Sequence, residues 1–185
     1  VVRQCIDEQN LTFVRLNPNN KVKNFDCGDK DLNDFIVNRA SDFQKNLLSV
    51  SYACAEAGSG RILAYCSLAN DKVAITDFKD KTEFNRFRRE QGFPNSKRLK
   101  SYPAVKLCRL GVDENVKNHR IGTTMLNYIK SMFVVENKAG CRFLTVDAYL
   151  DAVPFYIKNK FNFMNVDDND PHTRLMYYDL KNLKM

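Results

Sequence analysis

The 185-residue chain has no C-x-x-C pair among its six cysteines and only two histidines, His119 and His172. A zinc site is therefore not expected, since such sites draw on closely spaced Cys and His ligands. It has no GxxxxGK[ST] run and no GxGxxG run, which argues against a P-loop nucleotidase and a dinucleotide fold. No apolar run approaches the ~18–20 residues that cross a bilayer. The opening VVRQCIDEQN is polar after two valines and does not read as a signal peptide. No internal repeat, low-complexity tract or linker divides the chain, so one domain over residues 1–185 is expected. No Cys/His or Ser/His constellation suggests covalent catalysis.

What is present is enough to fold. Apolar residues make up 44% of the chain, and Lys and Arg exceed Asp and Glu by 29 to 22, a formal charge of +7. Such a balance suits a polyanionic partner, either a nucleic acid or a phosphate-rich small molecule. Cys54, Cys66 and Cys108 sit inside apolar strand patterns and read as small core residues. Cys5, Cys27 and Cys141 complete a set with no export signal, which fits a reducing cytoplasm. The cluster Arg86, Arg88, Arg89, Lys97, Arg98 and Lys100 reads as a solvated helix and loop.

Hydrophobic periodicity predicts alternating strands and helices. Strands are expected at Leu11 to Leu16, Val50 to Ala57, Ile62 to Leu68, Ala104 to Val112, Phe143 to Ala148, Phe161 to Val166 and Thr173 to Leu180. A turn at Asn17 to Asn20, a hairpin at Gly58-Ser59-Gly60, a basic loop from Pro94 to Pro103 and an acidic turn from Asp167 to Pro171 punctuate them. Helices are expected from Asp29 to about Leu48, with Leu32, Phe35, Ile36, Ala40, Phe43, Leu47 and Leu48 on one face, and from Asp77 to Gly92, on Phe78, Phe84 and Phe87. A short helix from Ala152 to Lys160 tolerates Pro154 in its first turn.

The stretch from Leu110 to Tyr128, LGVDENVKNHRIGTTMLNY, carries the clearest chemistry. A strand ends, a loop with Lys117, His119 and Arg120 follows, and Ile121-Gly122-Thr123-Thr124 opens a helix. Its expected apolar face is Met125, Ile129, Met132 and Phe133. The first turn of a helix has unpaired N–H groups and the positive end of the macrodipole, so this junction can cradle a phosphate. Gly122, lacking Cβ, lets a ligand approach the backbone.

This stretch resembles the phosphate-binding motif of the GNAT N-acetyltransferases, (Gln/Arg)-x-x-Gly-x-(Gly/Ala). Lys117, Asn118, His119, Arg120, Ile121 and Gly122 stand at its six positions, with Lys117 for Gln/Arg and Arg120 for the first Gly. Phe25 to Ala40 (FDCGDKDLNDFIVNRA) is similar to the F-x-C-G-x-x-x-L-N-x-F opening of one GNAT subgroup. Gly60 to Asp71 (GRILAYCSLAND), Tyr102 to Val112 (YPAVKLCRLGV), Ala139 to Tyr149 (AGCRFLTVDAY) and Phe155 to Met164 (FYIKNKFNFM) resemble its later segments in order. The similarity runs from about Leu11 to Leu180. Within that subgroup the opening and LMYYDLKNL resemble tRNA-acetylating toxins.

The resemblance implies an α/β GNAT fold: a central mixed, mostly antiparallel, twisted sheet of about six to seven strands flanked by helices. It implies acetyl-CoA as cosubstrate and direct acetyl transfer to a primary amine. Pyrophosphate would be bound by Lys117, Asn118, His119, Arg120, Ile121, Gly122, Thr123 and Thr124, and the pantetheine arm by backbone at Leu110, Gly111 and Val112. Phe155 and Tyr156 match the F-Y pair beside the sulfur, with Tyr156 as general acid. A general base is not legible; Asp113, Glu114 and Asp147 are candidates, and water is another. Two more positions depart from the pattern: Leu150 replaces an Asn, and Lys160 a Gly. The alternatives are a CoA-binding scaffold without turnover and a tRNA-acetylating toxin, with tRNA, an antitoxin or a second copy as partners. The acceptor would be chosen by Asn38 to Ser49 and Asp77 to Pro103.

Overall fold

The computed structural model describes residues 10–19, 22–93, 99–135, 139–165, 168 and 170–184. Expectations resting on Cys5, Asn20, Pro94, Lys97, Arg98, Val166, Asp167 and Asn169 lie outside the described residues. Seven strands form one sheet: β1 (Leu11–Arg15), β2 (Val50–Glu56), β3 (Ile62–Ala74), β4 (Ser101–Val112), β5 (Phe143–Tyr149), β6 (Asn162–Phe163) and β7 (Thr173–Asp179). Their order is β1-β2-β3-β4-β5-β7-β6. β1 with β2, β2 with β3, β5 with β7 and β6 with β7 are antiparallel, while β4 and β5 are parallel. This is the mixed, mostly antiparallel sheet that the sequence implies. Two compact units divide the chain, Val1–Ala69 with Leu107–Ser131, and Asn70–Lys106 with Met132–Met185.

In the first unit, the FDCGDKDLNDF segment folds back on itself. Asp26 accepts from Gly28 N at 2.9 Å and Asn33 Nδ2 at 2.7 Å, and Asn33 Oδ1 accepts from Cys27 N at 2.9 Å. Asp29 caps α1 (Lys30–Asp34) by accepting from Leu32 N at 3.0 Å. Gly28 has φ +81°, which favours glycine, and a Cβ there would lie 2.2 Å from Glu114 Oε1 and have to displace that carboxylate. Phe25, Phe35, Ile36, Ala40 and Tyr65 form the core above this turn.

The helix expected from Asp29 to Leu48 is interrupted. After α1 comes a π turn, Phe35–Arg39, and then α2 (Ala40–Lys45). One extra residue per turn rotates the pattern, so the apolar stripe does not carry through. α2 ends in a Schellman motif: Leu47 N donates to Gln44 O at 3.1 Å and Leu48 N to Phe43 O at 2.8 Å. Leu47, with φ 59°, takes the left-handed position glycine usually holds. Leu47 and Leu48, expected on the buried face, are 92% and 59% exposed.

α4 (Ile121–Val135) buries Ile121, Gly122, Met125, Leu126, Ile129 and Lys130. Met132 and Phe133 are only half-buried. Tyr128 stacks on Phe13 with centroids 4.3 Å apart. Cys54 and Cys66 are buried as expected, and burial pushes the Cys54 thiol up to about 11. Cys108 is exposed, because it falls on the outward side of the β4 alternation.

In the second unit, α3 (Lys81–Glu90) begins at Asp80, whose carboxylate accepts from Thr82 N at 2.7 Å and Glu83 N at 2.9 Å. Its Phe84 and Phe87 pack with Phe78, Val73, Tyr102, Ala104, Phe143, Met164 and Tyr177. β3 continues to Ala74, beyond the expected end at Leu68, because exposed Asn70 and Lys72 alternate with half-buried Asp71 and buried Val73. β4 begins at Ser101, so Pro103 lies in a strand rather than a loop. The strand expected from Phe161 to Val166 shrinks to Asn162–Phe163, since Phe161 turns into the core beside Tyr156 and Tyr178. α5 (Val153–Lys158) carries Pro154 in its first turn.

Candidate active site

β4 ends at Val112 and the chain turns on Asp113. This residue is buried; its carboxylate accepts from Arg61 Nη2 at 2.9 Å, Asn115 N at 2.9 Å and Asn115 Nδ2 at 3.0 Å. Asp113 N donates to Leu63 O at 2.9 Å. Asp113 thus fastens the turn through Oδ1. Glu114 pairs with Lys117 at 3.2 Å, its N–H donates to Asp26 O at 2.9 Å, and its side chain fills the space over Gly28. The sequence motif around Cys27 and the phosphate-loop candidate are therefore one packed structure. Asp147, in the second unit, is ion-paired with Lys106.

From Lys117 the loop makes two left-handed residues, Asn118 at φ 68° and Arg120 at φ 62°. His119 Nδ1 lies 3.0 Å from Lys117 O. α4 then starts without a cap: the first intrahelical bond is Thr124 N to Arg120 O at 2.9 Å. Among the described residues, no acceptor meets the N–H groups of Ile121, Gly122 or Thr123. α1 and α3, in contrast, both begin at a capping aspartate. An uncapped helix start preceded in the chain by Lys117, His119 and Arg120 is unfavourable for the macrodipole until an anion arrives. Thr124 Oγ1 donates back to Arg120 O at 3.2 Å.

Leu110 and Val112 are half-buried on β4, and Gly111 between them is buried. A Cβ on Gly111 would lie 2.7 Å from Tyr65 Cε1 and 3.3 Å from Phe25 Cε1. Glycine is thus needed here for the rings that pack on its backbone. Tyr65 donates from its hydroxyl to Leu32 O at 2.8 Å, and burial keeps that phenol neutral by raising its pKa.

In the second unit, Tyr156 is buried in α5, edge-on to Phe155 at 5.2 Å and Phe161 at 5.3 Å. Phe155 is half-buried. Of the departures from the GNAT pattern, Arg120 and Lys160 share one geometry. Arg120 (φ 62°) and Lys160 (φ 68°) stand where that pattern has glycine, and both keep the left-handed backbone with the side chain exposed. The turns are preserved although the glycines are gone. Leu150 is 43% exposed and donates its N–H to His172 O at 3.2 Å.

Two residues carry features that sequence reading missed. Lys130 is buried on α4, and desolvation lowers its ammonium to about 8. Its place four residues after Leu126 was the available signal. Arg109 stacks on Phe35 and Phe43, partners far away in sequence. Among the described residues, no group of three or more His, Cys, Asp or Glu could hold a metal ion, and no helix is long and apolar enough to cross a membrane.

No protein-family model matches the chain, and no curated protein matches it by sequence. Solved structures do match it in fold. A tyrosine-to-phenylalanine mutant of KacT superposes with a TM-score of 0.74 at 22% identity, covering 94% of this chain and 96% of that one. AtaTR bound with acetyl-CoA gives 0.71 at 19% identity, covering 94% and 95%. AtaT complexed with acetyl-methionyl-tRNAfMet gives 0.70 at 20% identity, covering 92% and 95%. The chain has the fold of these structures over nearly its whole length, and it is the GNAT fold.

Proposed function

We propose that this chain is an acetyl-CoA-dependent N-acetyltransferase formed by a single domain over residues 1–185. The observation that carries this reading is the uncapped, basic start of α4 in a fold shared with an acetyl-CoA complex. The residues present suit the ligand. N–H groups of Ile121, Gly122 and Thr123 donate to pyrophosphate oxygens, and Lys117, Asn118, His119, Arg120 and Thr124 add charge and polar contacts. Backbone at Leu110, Gly111 and Val112 holds the uncharged pantetheine arm, and Phe155 adds to cofactor binding. Bound acetyl-CoA supplies the acetyl group as an activated thioester.

Transfer forms one C–N bond and breaks one C–S bond. The acceptor amine gives up a proton to water. Tyr156 donates its hydroxyl proton to the departing sulfur. The Tyr156→Phe variant tests this: turnover falls about a hundredfold or more, as loss of a general acid predicts, while acetyl-CoA affinity stays within about twofold. Unchanged turnover removes Tyr156 from the mechanism. Cofactor binding with no thiol release by the wild type would leave a CoA-binding scaffold without catalysis.

A tRNA acceptor is the finer reading. AtaT is complexed with acetyl-methionyl-tRNAfMet, and this chain carries a formal charge of +7. Salt-sensitive tRNA binding and growth arrest on expression test it. An antitoxin belongs to the same reading, since an AtaT mutant is also bound to the C-terminus of its antitoxin AtaR, and a homodimer is proposed beside it. Six cysteines without a C-x-x-C pair fit a cytoplasmic setting.

A further inference from the structure

Two arginines of the first unit share one aromatic ring. The guanidinium carbon of Arg39 lies 6.0 Å from the Phe35 centroid, and that of Arg109 lies 3.8 Å from it. Arg39 is neutralised: its Nη2 lies 2.6 Å from Asp31, and its Nε lies 2.7 Å from Asp34, though not aligned for a hydrogen bond. Arg109 is half-buried, 5.8 Å from Phe43 as well, and forms no ion pair among the described residues. Its Nε is buried with no hydrogen-bond partner. Orphaned buried donors are rare, and a partly desolvated cation without a counter-charge is unfavourable. Ring stacking offsets only part of this. Phe35 and Phe43, themselves edge-on at 5.2 Å, hold the guanidinium in place.

Arg109 directly precedes Leu110 and, by strand alternation, shares a face of β4 with Gly111. On the reading above, Leu110 to Val112 hold the uncharged arm of the cofactor, and its phosphates lie at residues 117 to 124. An oxyanion at Arg109 must then come from the other substrate. We propose that Arg109 is an acceptor-positioning residue whose guanidinium binds a phosphate group of the molecule that is acetylated. A planar fork of N–H donors pairs with phosphate through two parallel hydrogen bonds, which orients as well as attracts. The inference rests on the acetyltransferase reading.

The test compares wild type, Arg109→Gln and Arg109→Lys. Thiol release from acetyl-CoA is followed with bulk aminoacylated tRNA, with glucosamine 6-phosphate and with glucosamine. In Arg109→Gln the KM for the phosphate-bearing acceptor rises at least about tenfold, the KM for acetyl-CoA moves less than about twofold, and glucosamine is unaffected. Arg109→Lys recovers part of the loss. Which acceptor responds tells an RNA phosphate from a small phosphorylated amine. An unchanged acceptor KM, or an equal change with glucosamine or acetyl-CoA, overturns the proposal and leaves Arg109 as packing for Phe35. If wild type turns over none of these, anisotropy of labelled tRNA decides: affinity at least about tenfold lower in Arg109→Gln supports the proposal, and equal or absent binding overturns it. A thermal melt with acetyl-CoA on the same samples reports separately on the acetyltransferase reading.

Discussion

α3 and α4 begin in opposite ways. α3 starts at Asp80, whose carboxylate takes two backbone N–H groups at 2.7 and 2.9 Å. α4 starts at Arg120, a left-handed residue of the wrong charge, and its first N–H groups meet no acceptor among the described residues. The first is how a helix ends when only its own stability matters. The second forgoes a cap and places cations against the positive end of a dipole, an arrangement that makes sense if an external anion completes it. A helix start that is poor by local rules is thus a stronger pointer to function than the glycine pattern beside it.

The largest effect is expected when Arg120 is changed to Asp. A carboxylate at the mouth of α4 repels the pyrophosphate and removes a charged donor, so acetyl-CoA affinity falls about a hundredfold, ~3 kcal/mol. Isothermal titration reads it; undiminished affinity would break the contrast between the two helices. Asp80→Ala is the counterpart: stability in urea drops by about 1 kcal/mol through the lost cap, with acetyl-CoA binding untouched. Loss of cofactor binding there would mean that α3 is not merely structural.

Replacing left-handed Arg120 or Lys160 by glycine relieves backbone strain and raises stability by about 1 kcal/mol or less, once the greater freedom of the unfolded chain is counted. Arg120→Gly is expected also to weaken acetyl-CoA binding a few-fold, and Lys160→Gly to leave it alone. Identical cofactor effects would blur the assignment of the loop. A pH-dependent effect concerns Lys130. Burial holds its ammonium at about 8 rather than the ordinary 10.5, so the unfolded chain binds more protons between those values. Stability therefore rises with pH from about 8 to 10.5, and the penalty is fully present below about 8. Chemical denaturation across this window should show the rise, and Lys130→Met should flatten it.

Much of the fold could be read from the chain because its segments are locally consistent. Three residues between Phe25 and Phe35 each have a reason in the structure: Gly28 for the backbone turn, Asn33 for two hydrogen bonds, Phe35 for the core. What was not legible depended on phase or on distant partners. A π turn carries no periodic mark, so the loss of Leu47 and Leu48 from the core was invisible. Asn70 and Lys72 hid the continuation of β3, since polar residues facing outward look like a strand end. Lys130 was masked by its charge, although its spacing placed it on the buried face. At the site, Lys117 to Thr124 were found as a loop, but the missing cap and the commitment of Asp113 to Arg61 appear only in three dimensions.

The most direct test of the central claim is a thermal melt with acetyl-CoA, CoA and ATP on wild type and Arg120→Asp. At about 100 times its dissociation constant, a ligand stabilises the native state by ~2.7 kcal/mol. Wild type is expected to shift clearly upward with acetyl-CoA and CoA and not with ATP, and Arg120→Asp to shift much less. A wild type that melts unchanged with all three ligands, or an Arg120→Asp variant that shifts as far as wild type, would contradict it.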